Sequence, residues 1–339
     1  MKRIYYTKQR SRSGKKFSVF LFLVLLAATA YFSTKTLTVK HVSESVLGKQ
    51  DVYSDENISP YPTLPPIPPP DSVIDPSAPL GQAVQDALTG TQGSYGIVIL
   101  NLKTGENYSL NQHVSYNSAS LYKLWVMAEA YRQVRDGLLK EDEILSGNYE
   151  TLNADFNIDP NTAEFKTGTI SMSVSDALNK MITISDNYAA FLLTLRIKLT
   201  NVTSFLRANG FSESATGTSV DNPTTTAFDT AFFFERLYKK QLINEEYSNK
   251  MLDLLKAQKL NDKIPKYLPY NVLIAHKTGE LDDYTHDAGI VYTPNGDYVI
   301  VVLSKSDNTD LAKERISNVS ESVYNYFGNN QQGKDLLSP

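Results

Sequence analysis

Apolar residues first crowd together between Phe17 and Phe32, where "FSVFLFLVLLAATAYF" lacks the polar stripe that a core helix shows. Seven Lys and Arg precede that run within "MKRIYYTKQRSRSGKK". Charge and then hydrophobe is an export pattern, and it places the chain beyond residue 33 outside the cytoplasm. The run is slightly short for a comfortable span, and Ala28 to Ala30 offers an A-x-A cleavage site. A single N-terminal membrane anchor and a cleaved leader with secretion are therefore both open. Residues 34–78 are polar and then proline-rich. "ENISPYPTLPPIPPPDSVIDPSAPL" holds too many prolines for a ladder or a helix interior, so this stretch predicts a stiff, extended spacer.

Periodic patterning begins near residue 79. "LGQAVQDALTG" has helical spacing, and "SYGIVILNLKTGENYSLN" is two β-rich runs joined at "KTGE". From Ser120 to Leu139 the pattern is helical, with Leu121, Leu124, Trp125, Ala128 and Tyr131 on one apolar face. Further helices are predicted over 173–183, 187–199, 202–208, 225–239 and 245–257. The β signal then returns in "NVLIAHKTG", "DAGIVYTPNG" and "DYVIVVLS", with "PNGD" as a hairpin turn, before the helical "DLAKERISNVSESVYNYF". Strands at both ends with helices between them predict an α+β domain over 79–330. The N-terminal hairpin joins the C-terminal strands in one antiparallel sheet, helices cover its faces, and an all-helical lobe sits beside it. Residues 331–339 read as a flexible tail.

With 339 residues and 41% apolar content, the chain has enough material to bury a site. The formal net charge of −4 provides no basic field, so no nucleic-acid partner is expected. The absence of cysteine excludes a disulfide scaffold, a thiol nucleophile, a Cys-ligated zinc and a lipoprotein anchor. No HExxH occurs either, so neither a metal nor another cofactor is expected.

Candidate chemistry starts at "SASLYKL", residues 118–124, where Ser120 opens a helix and Lys123 lies at i+3 on the same face. Unpaired N–H groups at a helix start favour negative charge on a nearby oxygen. A desolvated Lys123 can lose its proton at neutral pH and take one from Ser120 as that oxygen attacks a carbonyl. Alone, S-x-x-K is weak: "SGKK" at Ser13–Lys16 matches it in the basic leader, and a helix cap beside a surface lysine would look the same. Two further matches give it context. "SDN" stands at Ser185–Asn187 between helical segments, and "KTG" at Lys277–Gly279 closes a β run. "KTG" also occurs at Lys103 and Lys166, and "SDN" at Ser306, but each of these lies in the wrong order or on the wrong element.

The order S-x-x-K, SDN, KTG resembles that of class A β-lactamases and penicillin-binding proteins over essentially the whole outer domain. The resemblance implies a class A β-lactamase-like fold, a five-stranded antiparallel sheet flanked by terminal helices with an inserted helical lobe. It implies that Ser120 is the acylated nucleophile and Lys123 its base or base relay. Ser185 would pass a proton to the leaving nitrogen, and Asn187 would hold Lys123 and the substrate amide. Lys277 would raise the positive potential over the substrate carboxylate, which Thr278 would also bind. Gly279 completes the motif, and the main-chain N–H groups of Ser120 and Glu280 would form the oxyanion hole. Asp186 reads as a structural hydrogen-bonding residue of the lobe.

One departure stands out. Class A enzymes release the acyl group with a water held by the glutamate of an E-x-x-L-N stretch, and "ANGFSESATGTSVDNPTTTAFDTAFFF" contains none. Glu213 and Asp221 in that segment read as loop or capping residues. Without a positioned base, deacylation lacks a factor of about a hundred to ten thousand. A Ser-His-Asp hydrolase is disfavoured because no G-x-S-x-G surrounds Ser120. His276 and His286 flank the "KTG" and could line the cleft but read as loop or strand residues, with His41 and His113 on the surface. Three readings stay open: a serine hydrolase forming an acyl-enzyme with β-lactams, a D,D-peptidase or transpeptidase on peptidoglycan stem peptides, and a non-catalytic module binding wall or β-lactam.

Overall fold

The structure, a computed structural model, describes residues 79–218 and 221–335. The expected leader, anchor and proline-rich spacer lie outside the described residues.

Helix α1 (Pro79–Leu88) leads into strands β1 (Ser94–Asn101) and β2 (Asn107–Leu110), the predicted opening helix and hairpin. Strands β7 (Ile274–Leu281), β8 (Tyr284–Val291) and β9 (Tyr298–Lys305) return near the C-terminus. All pairings are antiparallel, in the order β2-β1-β9-β8-β7, so β1 and β9 meet in the middle and β7 is an edge. The α+β, class A β-lactamase-like architecture predicted above is therefore present.

Strand β9 reads as the unbroken apolar run "YVIVVLS" because both faces of the sheet are covered. Tyr298, Ile300 and Val302 of β9, with Ile97 and Ile99 of β1, pack against Leu80 and Val84 of α1. Ile316, Val319 and Val323 of the last helix, α9 (Thr309–Asp335), complete that layer. The alternate set, Val299, Val301 and Leu303 with Val98 and Leu100, joins the core of the helical lobe.

That lobe is built around α2 (Lys123–Arg135), which is buried on every side from Lys123 to Tyr131, Glu129 included. Around it lie α4 (Val174–Thr183), α5 (Asn187–Ile197), α6 (Leu199–Ala208), α7 (Ala227–Tyr238) and α8 (Glu245–Lys256). Most bounds fall within two residues of the pattern, and α6 starts three residues early.

Other elements differ from expectation. The helix predicted from Ser120 to Leu139 begins as a 3-10 turn, Ala119–Tyr122, and becomes α-helical only at Lys123. It ends at Arg135, where Leu138 N–H bonds to Gln133 O at 2.9 Å and Gly137 N–H to Val134 O at 3.1 Å, a closure that satisfies the last carbonyls. Strands β4 (Ile144–Asn148) and β5 (Thr169–Ser173) pair beside the lobe, with α3 (Tyr149–Asp155) after β4. Neither strand alternates cleanly in sequence, and their pairing spans some twenty residues, which no local pattern announces. Two-residue strands β3 (Tyr116–Asn117) and β6 (Thr224–Thr225) also pair. Finally, α9 runs to Asp335, so the first part of the expected tail is helical.

Gly289 of β8 lies opposite His276 of β7, and a β-carbon there would sit 2.3 Å from Ala275 O, a main-chain atom that cannot rotate away. Gly289→Ala must push β7 off the sheet. The expected cost is about 2 kcal/mol or more. Urea unfolding checks it: an unchanged midpoint would mean that the strands can part freely.

Candidate active site

Three separate elements converge beneath the serine. The 3-10 turn carries Ser120, half-buried, into α2, whose first residue is Lys123. Ser185 lies between α4 and α5 in the left-handed region, with φ of 59°. Asp186 caps α5, its Oδ1 accepting from Ala189 N–H at 2.8 Å, and Asn187 is the first residue of that helix. Asp186 thus makes the structural hydrogen bond read for it in the sequence, and the cap fixes where Asn187 points. Lys277 comes from edge strand β7.

Lys123 is fully buried. Its Nζ donates to Asn187 Oδ1 at 2.8 Å and to Ser185 O at 2.5 Å, and it lies 3.2 Å from Ser185 Oγ. From the other side, Lys277 Nζ, equally buried, donates to Ser185 Oγ at 2.9 Å and to Thr278 O at 2.8 Å. One hydroxyl therefore sits between two amines. Burial lowers the Lys123 ammonium to about 7, with the Asp186 carboxylate pulling the other way. Burial and then the neighbouring Lys123 charge hold Lys277 well below the ordinary lysine range. Two amines on one hydroxyl titrate jointly, so the first proton leaves easily.

The expected contact between Lys123 and the Ser120 hydroxyl is not among these bonds. The amine is drawn to the lobe because Asn187 Oδ1 and the Ser185 carbonyl are fixed acceptors, and a buried donor takes the acceptors it can reach. Ser120 instead lies against β7. A β-carbon on Gly279 would come within 3.3 Å of Ser120 N and 3.2 Å of Ser118 O, so glycine lets the strand pass this close to the turn without pressing on it.

Along β7 the side chains alternate. Lys277 faces Ser185, whereas His276, Thr278 and Glu280 stand opposite Gly289, Asp287 and Thr285 on the other face. Thr278 is buried there. The carboxylate of Glu280 takes Lys263 Nζ at 2.6 Å and Lys313 Nζ at 2.8 Å. Against burial, those two bonds hold it below the usual glutamate range. His276 and His286 are strand residues and both are buried. His276 bonds Asp287 Oδ1 at 2.9 Å and Asn261 Oδ1 at 3.0 Å. The motifs of the sequence did not reveal Lys263, which the loop before β7 brings here, or Lys313, which comes from α9.

The loop after α6 holds two carboxylates, both engaged. Glu213 Oε1 pairs with His113 Nδ1 at 2.8 Å, and Glu213 Oε2 accepts from Thr226 Oγ1 at 2.8 Å. Asp221 accepts from Thr218 Oγ1 at 3.1 Å within a turn.

A family model described as "Beta-lactamase enzyme family" matches residues 79–327. The chain belongs to that family. Among curated protein sequences none matches significantly. Among solved structures, penicillin-binding protein PBP-A is similar at 23% identity and a TM-score of 0.67, covering 76% of this chain and 99% of that one. A β-lactamase from Sphaerobacter thermophilus has 24% identity and a TM-score of 0.66, over 76% and 98% of the two chains. A class A β-lactamase from Bacteroides cellulosilyticus has 20% identity and a TM-score of 0.65, over 74% and 98%. At these identities the likeness shows the fold, which is class A β-lactamase-like, and the family match makes the chain a β-lactamase-family hydrolase.

Within this family frame the charge of Asp186 is separable from its cap. Asn at 186 keeps an oxygen for Ala189 N–H but no longer favours the Lys123 ammonium. Asp186→Asn is therefore expected to move Lys123 further down from about 7, read by NMR titration of 13Cε-labelled lysine. An upward shift or none would mean that the amine does not sense this carboxylate.

Proposed function

We propose that the chain is an exported serine hydrolase that β-lactams acylate on Ser120. The observation that carries this reading is the Lys123–Ser185–Lys277 cluster: two buried amines on one hydroxyl, one turn of chain from a half-buried serine.

Lys123, neutral in part near pH 7, serves as the base. Its amine trades a contact on the lobe for the Ser120 proton as Ser120 Oγ attacks the lactam carbonyl. Such contacts are commonly loose before substrate binds. The oxyanion is held by the N–H groups of Ser120 and Glu280, the second from the edge strand that Gly279 brings against the turn. Ser185, between both amines, returns the proton to the leaving nitrogen. Asn187 orients Lys123 and the substrate amide. Lys277 sets the positive potential that draws the substrate carboxylate, whereas Thr278, buried on the opposite face of the strand, is not placed to bind it with its side chain. The basic leader and apolar run hold the domain at the outer face of the membrane, or release it if cleaved near Ala30.

The fate of the acyl group decides between two activities. Glu213 spends both oxygens on neighbours and Asp221 one within its turn, which supports an acyl-enzyme without either of them as a dedicated water-activating carboxylate. β-Lactam hydrolysis is then slow. That supports a second reading, a D,D-peptidase or transpeptidase on peptidoglycan stem peptides, in which a wall amine completes the transfer. One similar solved structure is a PBP-A variant described as an acyl-enzyme complex with penicillin G, at 22% identity and a TM-score of 0.65.

Mass spectrometry after brief exposure to a fluorescent penicillin is expected to show one adduct on Ser120, absent in Ser120→Ala. No adduct with several β-lactams would favour the non-catalytic binding module. Nitrocefin turnover then separates lactamase from peptidase. The acylation rate is expected to rise with pH through about 7, because the base works only after Lys123 loses its proton. A rate flat from pH 5 to 9 would remove Lys123 from that role.

A further inference from the structure

On β8, His286 lies opposite Gly279 of the "KTG" strand, and its ring is fully enclosed. Its two nitrogens have different partners. Ser304 N–H, a main-chain donor on β9, points at Nδ1 at 3.1 Å, while Nε2 lies 2.8 Å from Asn117 O. A main-chain N–H can only donate and a carbonyl can only accept. Nδ1 is therefore the bare nitrogen, and Nε2 carries the hydrogen given to Asn117. Burial lowers the ring to about 4, so it stays in this neutral tautomer across the physiological range. The edges of Tyr116 and Tyr284, at centroid distances of 6.2 and 6.1 Å, leave it little room to turn.

Asn117 leads directly to the nucleophile. Its side-chain Oδ1 accepts from Ala119 N–H at 2.9 Å. Ala119 has φ of 44°, a left-handed conformation that a residue with a β-carbon adopts only when its surroundings hold it there. The next residue is Ser120. Apart from the His286 bond, this segment is tied by the two-residue pairing of β3 with β6, by Ser118 N–H to Pro223 O at 2.8 Å, and by the Tyr116 hydroxyl, 2.8 Å from Ser94 Oγ at the start of β1.

We infer that His286 is a positioning residue: its Nε2–H grips the Asn117 carbonyl and so ties the strained serine turn to the central sheet. The inference rests on the reading of Ser120 as the acylated nucleophile. His286 itself touches no reacting atom. Nearer to Ser120 than the Tyr116–Ser94 contact at the start of β1, it makes the middle of the rigid sheet a reference for where Ser120 stands against the edge of β7. Displacing a nucleophile by about 1 Å costs on the order of a hundredfold in rate, so a single hydrogen bond a few residues upstream carries leverage over acylation.

Two substitutions split the roles of the ring. His286→Gln places an N–H at the reach of Nε2 and can restore the bond to Asn117. His286→Asn offers an oxygen near the place of Nδ1 for Ser304 N–H but falls short of Asn117. Both delete the imidazole, so lost packing weighs on both. The full-length chain is assayed for fluorescent-penicillin acylation and for amide hydrogen exchange of the peptide spanning residues 117–122. His286→Gln is expected to acylate within about threefold of wild type, and His286→Asn roughly 10- to 100-fold slower. The loss should fall on the saturating acylation constant, with half-saturating concentrations within about twofold, and the 117–122 peptide should exchange faster in Asn than in Gln. Equal rates and equal exchange in the two variants would overturn the inference, as would losses that simply track the melting temperature. If wild type forms no Ser120 adduct, the acylation reading fails by itself, and the exchange comparison still decides whether His286 holds the turn.

Discussion

Everything at the site depends on burying two lysine amines around one hydroxyl. A solvated lysine near pH 7 is an ammonium and cannot act as a base. Here Lys123 and Lys277 are both out of water and both bonded to Ser185 Oγ, so burial and mutual repulsion act together to release a proton. Acceptors limit what that costs. Asn187 Oδ1 and the Ser185 carbonyl receive the Lys123 donors, and Thr278 O receives one from Lys277. Asp186 is the counterweight: its carboxylate keeps Lys123 near 7 rather than lower, while its main task is to cap α5.

That arrangement requires the lobe and the sheet to be held in register, since Lys123 and Ser185 belong to one and Lys277 to the other. The apolar core supplies the contact over a broad area: Val299, Val301 and Leu303 of β9 face the lobe, while their alternates face α1 and α9. Nearer the site the fixing is polar. On the back of β7, Glu280 joins Lys263 and Lys313, and Asp287 holds both His276 and Ile264 N–H. Lys263 is wholly buried between Asp262 and Glu280, so removing either carboxylate would leave a cation short of a partner. The strand bearing the "KTG" is thus an edge in its pairing but not a free one.

Much of this was legible in the sequence because its signals are local. Helical spacing gave α4, α5, α7 and α8 to within two residues, and the apolar runs gave β7 to β9. The three motifs named Ser120, Lys123, Ser185, Asn187 and Lys277, and the fold brings the last four together. What stayed hidden depends on register and on competition between partners. The resemblance had Asn187 holding Lys123, as it does, but nothing near Lys123 says that its amine also takes the Ser185 carbonyl, more than sixty residues downstream, rather than the hydroxyl one turn away. His286 looked like a histidine beside a cleft, and only its pairing opposite Gly279 sets it against Asn117. The β4–β5 pair and α3 lay in sequence without clear alternation, where tertiary contacts decide the backbone.

Backbone strain brackets the candidate chemistry. Ala119, just before Ser120, and Ser185, between the amines, both have positive φ, at 44° and 59°. Neither is glycine, and each costs about 1–3 kcal/mol unless the surroundings over-determine it. Each has such a restraint: Asn117 Oδ1 holds the Ala119 N–H, and Lys123 Nζ holds the Ser185 carbonyl. The second restraint has a consequence for the amine. In the mechanism we propose, Lys123 turns toward Ser120 while the Ser185 carbonyl is one of the acceptors that hold its amine. On that reading the proposed base and proton donor are coupled through one carbonyl, and any movement of the amine toward Ser120 is tied to the placing of Ser185.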